Sequence, residues 1–151
     1  LRRFGVHTAI ETAGDAPLSR LMPLARQCDE VLFDLKIMDT ALAQSIVAMN
    51  LPRVLDNFRQ LVADGINVIP RVPLIPGYTL NETHMARVLA FLLPSGIRQL
   101  HLLPFHQYGE PKYRLLGQEW GMRQASPPTE DEVLAMRLLA EREGFIVTLG
   151  G

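Results

Sequence analysis

The chain has 151 residues, 15 Lys and Arg against 16 Asp and Glu, a formal net charge of −1 and 48% hydrophobic residues. That balance describes one globular domain with its own core and excludes the basic footprint of a nucleic-acid binder or of a segment held to anionic membranes. No apolar run approaches the roughly 18–20 residues of a membrane span. No leader pattern is visible, and the single cysteine, Cys28, excludes an internal disulfide, so a cytoplasmic setting is expected.

The chain opens on Leu1, and Leu1-Arg2-Arg3-Phe4-Gly5 reads as the end of a helix closed by a glycine, so a piece of a longer protein is expected. A strand over about 6–12 ends in Glu11-Thr12 and leads through Gly14-Asp15-Ala16-Pro17, with Asp15 as candidate N-cap, to a helix over about 17–28. The next strand, about 31–36, runs Val31-Leu32-Phe33 into Asp34-Leu35-Lys36 and is followed by helices over about 40–49 and 52–64, the second opened by Pro52 and closed by Gly65. A strand over about 67–74 carries Arg71 and turns at Ile75-Pro76-Gly77. Thr79-Leu80-Asn81-Glu82 reads as a capping box for a helix over about 80–94. A strand over about 98–105 reaches His106 and is followed by a long loop over about 106–128 containing Gly109, Pro111, Gly117, Gly121 and Pro127-Pro128. Thr129-Glu130-Asp131-Glu132 then caps a helix to about 143, and Phe145–Leu149 is a last strand.

The strict alternation of strand and helix predicts an α/β fold with about five parallel strands. A complete eight-unit barrel takes about 250 residues, or roughly 31 per unit, so this length fits about five units of a partial (β/α) barrel; an open five-stranded α/β sheet fits the count equally well.

Four strands end in residues of the kind active sites use, the arrangement by which barrels build sites at their C-terminal face. Asp34 and Lys36 share one strand face and Val31, Phe33 and Leu35 the other, so the charged face needs a ligand or an internal ion pair. Arg71 is flanked by Val68-Ile69-Pro70 and Val72-Pro73-Leu74-Ile75. Its guanidinium must reach a carboxylate or phosphate, either of a ligand or of Asp34 or Glu11. His106 offers a hydrogen bond or acid–base chemistry, or is structural. Glu11-Thr12 and Asp34 could hold a small cation near a bound carboxylate, or Glu11-Thr12 forms a capping turn. Gln107-Tyr108-Gly109-Glu110-Pro111-Lys112-Tyr113 suits a lid or partner contact, with a packed connector as the alternative. His7, His84 and His101 have no metal-like spacing and read as structural or surface, and Cys28 as core filler.

Ile10-Glu11-Thr12-Ala13-Gly14, Leu32-Phe33-Asp34-Leu35-Lys36, Arg71–Gly77 and Leu102–Gly109 with Lys112-Tyr113 together resemble the second half of the glycyl-radical-enzyme activases. These belong to the radical S-adenosylmethionine (SAM) superfamily, and the likeness is to its pyruvate formate-lyase activating type. The resemblance implies a partial barrel in which Asp34, Leu35, Lys36, Arg71 and His106 contact SAM. It also implies that Glu11, Thr12, Leu32 and Asp34 surround a monovalent cation, the middle two through their carbonyls, and that Tyr108, Gly109, Lys112 and Tyr113 form a partner or lid loop. Glu11 stands where the best-known member has Asp. The implied cofactors are SAM and a [4Fe–4S] cluster, and the implied partners are a glycyl radical enzyme such as pyruvate formate-lyase and an electron donor such as flavodoxin. The three-cysteine loop that holds the cluster and the Gly-Gly-Glu segment that grips the SAM amino group are both missing from these 151 residues, so no catalytic residue is expected here and the chain is expected to be inactive alone. Open strand edges also invite self-association into a non-catalytic oligomer. The rival enzyme reading is Asp34-x-Lys36-x-x-Asp39, which resembles orotidine-monophosphate-decarboxylase barrels, although Asp39 reads better as the next N-cap.

Overall fold

A computed structural model describes residues 2–117 and 125–150. Five strands, β1 (Ala9–Thr12), β2 (Glu30–Asp34), β3 (Val68–Leu74), β4 (Gln99–Pro104) and β5 (Ile146–Leu149), form one sheet in the order β1-β2-β3-β4-β5. Every neighbouring pair is parallel. The crossovers carry α1 (Leu18–Ala25), α2 (Thr40–Val47), α3 (Leu51–Ala63), α4 (Glu82–Leu92), a short α5 (Glu110–Leu115) and α6 (Glu130–Arg142). Among the described residues no helix is long and apolar enough to cross a membrane.

Strands in chain order joined by crossovers of one hand put their helices on one face of the sheet. The core shows that they do. Val31, Phe33, Leu35, Val68, Val72, Leu74, Leu100 and Leu102, all of one alternation parity, form one cluster with Leu21 of α1, Ala43 of α2, Val54, Phe58 and Leu61 of α3, Met85 and Leu92 of α4, and Met136 of α6. In α3 the buried residues Leu51, Val54, Phe58 and Leu61 recur at helical spacing, which is why that segment is a helix and why it lies where it does. The opposite parity faces away from every helix of this core, and Ala9, Glu11, Gln99, Ile146 and Thr148 on it are exposed. The architecture is an open α/β sheet of the partial-barrel kind, with one face packed and one open.

Several local expectations need correcting. Asp15 is not the N-cap of α1: Pro17 holds that position without a side-chain bond, and Asp15 instead pairs with Arg53 and accepts from the Asn50 N–H. The N-cap of α4 is Asn81, not Thr79, because the Thr79 hydroxyl donates to the Pro73 carbonyl and accepts from the Ile75 N–H. The long loop contains a 3-10 turn, Gln107–Gly109, and α5; Pro111 sits in the first turn of that helix, where its missing N–H costs nothing. The expected Gly121 of that loop lies outside the described residues. The capping box at Thr129 and Glu132 is present as expected.

Candidate functional site

The site is built where β1, β2 and β3 meet on the open face. Asp34 ends β2, Arg71 is its register partner on β3, and Glu11 lies on β1 opposite Leu32. Arg71 is 5% exposed, and a guanidinium so buried must be neutralised and hydrogen-bonded. Its Nε donates to Asp34 Oδ1 at 2.8 Å, and Nη1 and Nη2 donate to Glu11 Oε1 and Oε2, each at 3.0 Å. The result is a bidentate fork on one carboxylate and a single bond to another. The hydrogen bonds and charge of Arg71 hold the Glu11 carboxyl below the usual carboxylate range, and the same contacts raise the guanidinium further. Of the two alternatives open in the sequence, the free chain therefore shows Arg71 paired with Asp34 and Glu11 together.

The other predicted residues fall in different places. Lys36 lies two positions beyond the end of β2 and has no ion-pair partner among the described residues. Leu35 turns the other way: its side chain is in the core, and its N–H donates to the Arg71 carbonyl at 2.8 Å. Any ligand contact at Leu35 is therefore made by its backbone. The Thr12 hydroxyl accepts from the Gly14 N–H at 3.0 Å and closes the turn after β1. Gly14 has φ +71°, and a Cβ there would stand 2.1 Å from Phe33 Cζ, so only glycine fits. His106 lies just beyond β4, its Nδ1 accepting from the Tyr108 N–H at 3.3 Å and its ring 4.3 Å from that of Tyr108. That bond leaves the proton of the neutral ring on Nε2. Tyr108 is exposed and Gly109 closes the 3-10 turn; the side chains of Lys112 and Tyr113 lie outside the described residues. Asp39 is the N-cap of α2 and pairs with Arg87, which removes it from a charge array with Asp34 and Lys36.

His101 was missed. The register sets Asp34, Arg71, His101 and Thr148 side by side on four adjacent strands, one polar row across the open face. His101 Nδ1 is buried without a partner, and Nε2 lies 3.2 Å from Gln99 Nε2. Its alternation with Leu100 and Leu102 was the available signal; its neighbours in the row come from pairing, which the sequence does not spell out. Among the described residues no cluster of His, Cys, Asp and Glu is arranged to hold a metal ion.

No family model matches the chain. The pyruvate formate-lyase 2-activating enzyme of Escherichia coli K12 is 62% identical over 151 residues, which is 100% of this chain and 52% of that protein. The isethionate sulfite-lyase activating enzyme of Nitratidesulfovibrio vulgaris is 34% identical over 131 residues, 85% of this chain and 42% of that one. This chain thus spans about half the length of the curated relatives it matches. A crystal structure of a domain of a pyruvate-formate lyase-activating enzyme from Bacteroides vulgatus shares the fold, with a TM-score of 0.79 at 24% identity, over 99% of this chain and 84% of that one.

Proposed function

The chain belongs to the glycyl-radical-enzyme activating enzymes of the radical SAM superfamily, and we propose that its open face is the part of such an enzyme that holds S-adenosylmethionine. The observation that carries this reading is the Arg71 cluster at the C-terminal strand ends, in a chain similar over its whole length to such an activating enzyme. Asp34, Lys36, Arg71 and His106, with the backbone of Leu35, contact SAM. The cations serve its carboxylate, and the polar strand ends serve its ribose. Glu11, the carbonyls of Thr12 and Leu32, and Asp34 surround a monovalent cation beside it.

The [4Fe–4S] cluster does not fit this chain: one cysteine, Cys28, cannot supply the three thiolates, so no step is assigned to it here. The proposed role of the whole protein is to generate a glycyl radical on a partner of the formate-lyase type, with flavodoxin as electron donor and the 106–117 segment at the partner face. These residues on their own cleave no SAM. Self-association through β1 and β5 is a property of the same open sheet, and the setting is cytoplasmic.

The test is a nuclear magnetic resonance titration of the chain with S-adenosylhomocysteine. With half a pocket, a dissociation constant of order 1 mM is expected, about 4 kcal/mol of binding. Resonances of Lys36, Arg71 and His106 should shift, and Lys36→Ala should weaken binding several-fold. Absence of any shift on the open face at tenfold higher ligand refutes the reading. Reconstitution of the chain with iron, sulfide, reductant and SAM should yield no 5′-deoxyadenosine, and a clear yield refutes the inactivity.

A further inference from the structure

The two carboxylates on Arg71 are not equivalent. Asp34 is 19% exposed and holds Nε by one bond, on the register partner of Arg71 itself. Glu11 is 66% exposed and takes both terminal nitrogens, the bidentate geometry that a free carboxylate prefers. Arg71, at 5% exposed, cannot follow either partner into water without leaving a buried charge behind. If one carboxylate is exchanged, it is Glu11: the bond is reachable from solvent, and the released side chain loses little by rehydration.

We propose that Glu11 occupies, in the free chain, the Nη face of Arg71 at which an external α-amino carboxylate binds, and that ligand and Glu11 exchange there. This rests on the reading that the open face takes the amino-acid end of SAM. A charge count gives the exchange a second consequence. Arg71 with Glu11 and Asp34 carries a net −1, and adding a ligand carboxylate adds another negative charge. Glu11, released beside the Thr12 carbonyl and close to Asp34, is then available to a monovalent cation, which restores the count. Ligand and cation therefore bind with positive linkage, each raising the affinity of the other by the same factor.

The test follows side-chain resonances of Arg71 while the chain is titrated with L-methionine and, separately, with S-adenosylhomocysteine. Each titration is run in tetramethylammonium chloride and in potassium chloride at equal ionic strength. In the unaltered chain, methionine should shift the Arg71 Nη signals and bind several-fold tighter in potassium. Glu11→Gln should bind roughly fivefold tighter than the unaltered chain in tetramethylammonium, the gain expected from removing one exposed competing ion pair, and should lose the potassium effect. Glu11→Asp, which keeps the charge but draws the carboxylate back by one methylene, should bind tighter and keep the potassium effect. The exchange is overturned if Glu11→Gln binds methionine no better than the unaltered chain, if its potassium dependence survives, or if methionine reaches Arg71 in none of the three proteins. Methionine exchange without any gain from the adenosyl group would uphold the exchange and refute the SAM reading.

Discussion

At the residue scale, His84 shows how burial alone can set a titration. It occupies the first turn of α4, is 7% exposed, and neither ring nitrogen has a hydrogen-bond partner among the described residues. Burial pushes its pKa down, the nearby charge of Arg87 adds to the effect, and the backbone of Lys36 and Thr79 beside the ring offsets part of it. The neutral form is thus the one that fits. In the unfolded chain this histidine takes up its proton near pH 6.5, and in the folded chain only at lower pH. Between those two values the unfolded state binds more protons, so the contribution is fully present above about pH 6.5 and is lost as the pH falls toward the folded value. His84→Leu should leave the melting temperature near pH 8 within a few degrees of the unaltered protein and flatten its fall between about pH 6.5 and pH 5. Thermal melts across that range check this; an equal slope in both proteins would assign the acid loss to other groups. Glu11 has the same sign at lower pH, since its carboxyl is held down by Arg71 and its share of stability is lost below the ordinary carboxylate range.

At the scale of elements, α3 does more than cover the sheet. Its Asn57, buried in a helix face otherwise made of Leu51, Val54, Phe58 and Leu61, donates to the carbonyls of Gly14 and Ala16 at 2.7 and 2.8 Å. Arg53, one turn earlier, binds Asp15 at 2.6 and 2.8 Å. The turn that follows Glu11 and Thr12 is thereby tied to a helix more than thirty residues away in sequence. Asn57→Ala removes both buried bonds and leaves two carbonyls without them, a cost of about 2–3 kcal/mol. Chemical denaturation should show that loss, and amide exchange at Ala16 should accelerate more than exchange in β3; uniform acceleration would mean that Asn57 supports the fold as a whole and not this turn. The same contacts explain what the sequence could convey. Periodicity located all five strands and the α1, α2, α3, α4 and α6 helices, because each buries a regular apolar stripe. It misassigned Asp15 and Thr79, whose local capping roles lost to partners supplied by tertiary structure, Arg53 and the Pro73 carbonyl. The Glu11–Arg71–Asp34 cluster was visible as candidate residues, but that Arg71 satisfies both carboxylates at once depends on a register that brings together positions sixty residues apart.

At the scale of the whole molecule, the sheet has one packed face, one open face and two ends. Strand order leaves β1 and β5 paired on one side only among the described residues. Sheet edges in stable monomers are usually protected by charge, proline or a bulge. β1 carries Glu11, whereas β5 reads Ile146-Val147-Thr148-Leu149, with Ile146 72% and Leu149 46% exposed and no charge among the four. Because all strands run parallel, β5 of one copy can extend onto β1 of the next in the same sense. That contact is heterologous, and it closes into a ring or grows according to the rotation between copies. Sedimentation velocity over about 5–200 μM should show the weight-average mass rising with concentration. Ile146→Lys places a charge at the unprotected edge on the open face, away from the core, so it should lower the degree of association at equal concentration without changing the melting temperature by more than a few degrees. A single monomeric species throughout, or association that Ile146→Lys leaves unchanged, would mean that β5 is not the edge through which copies meet.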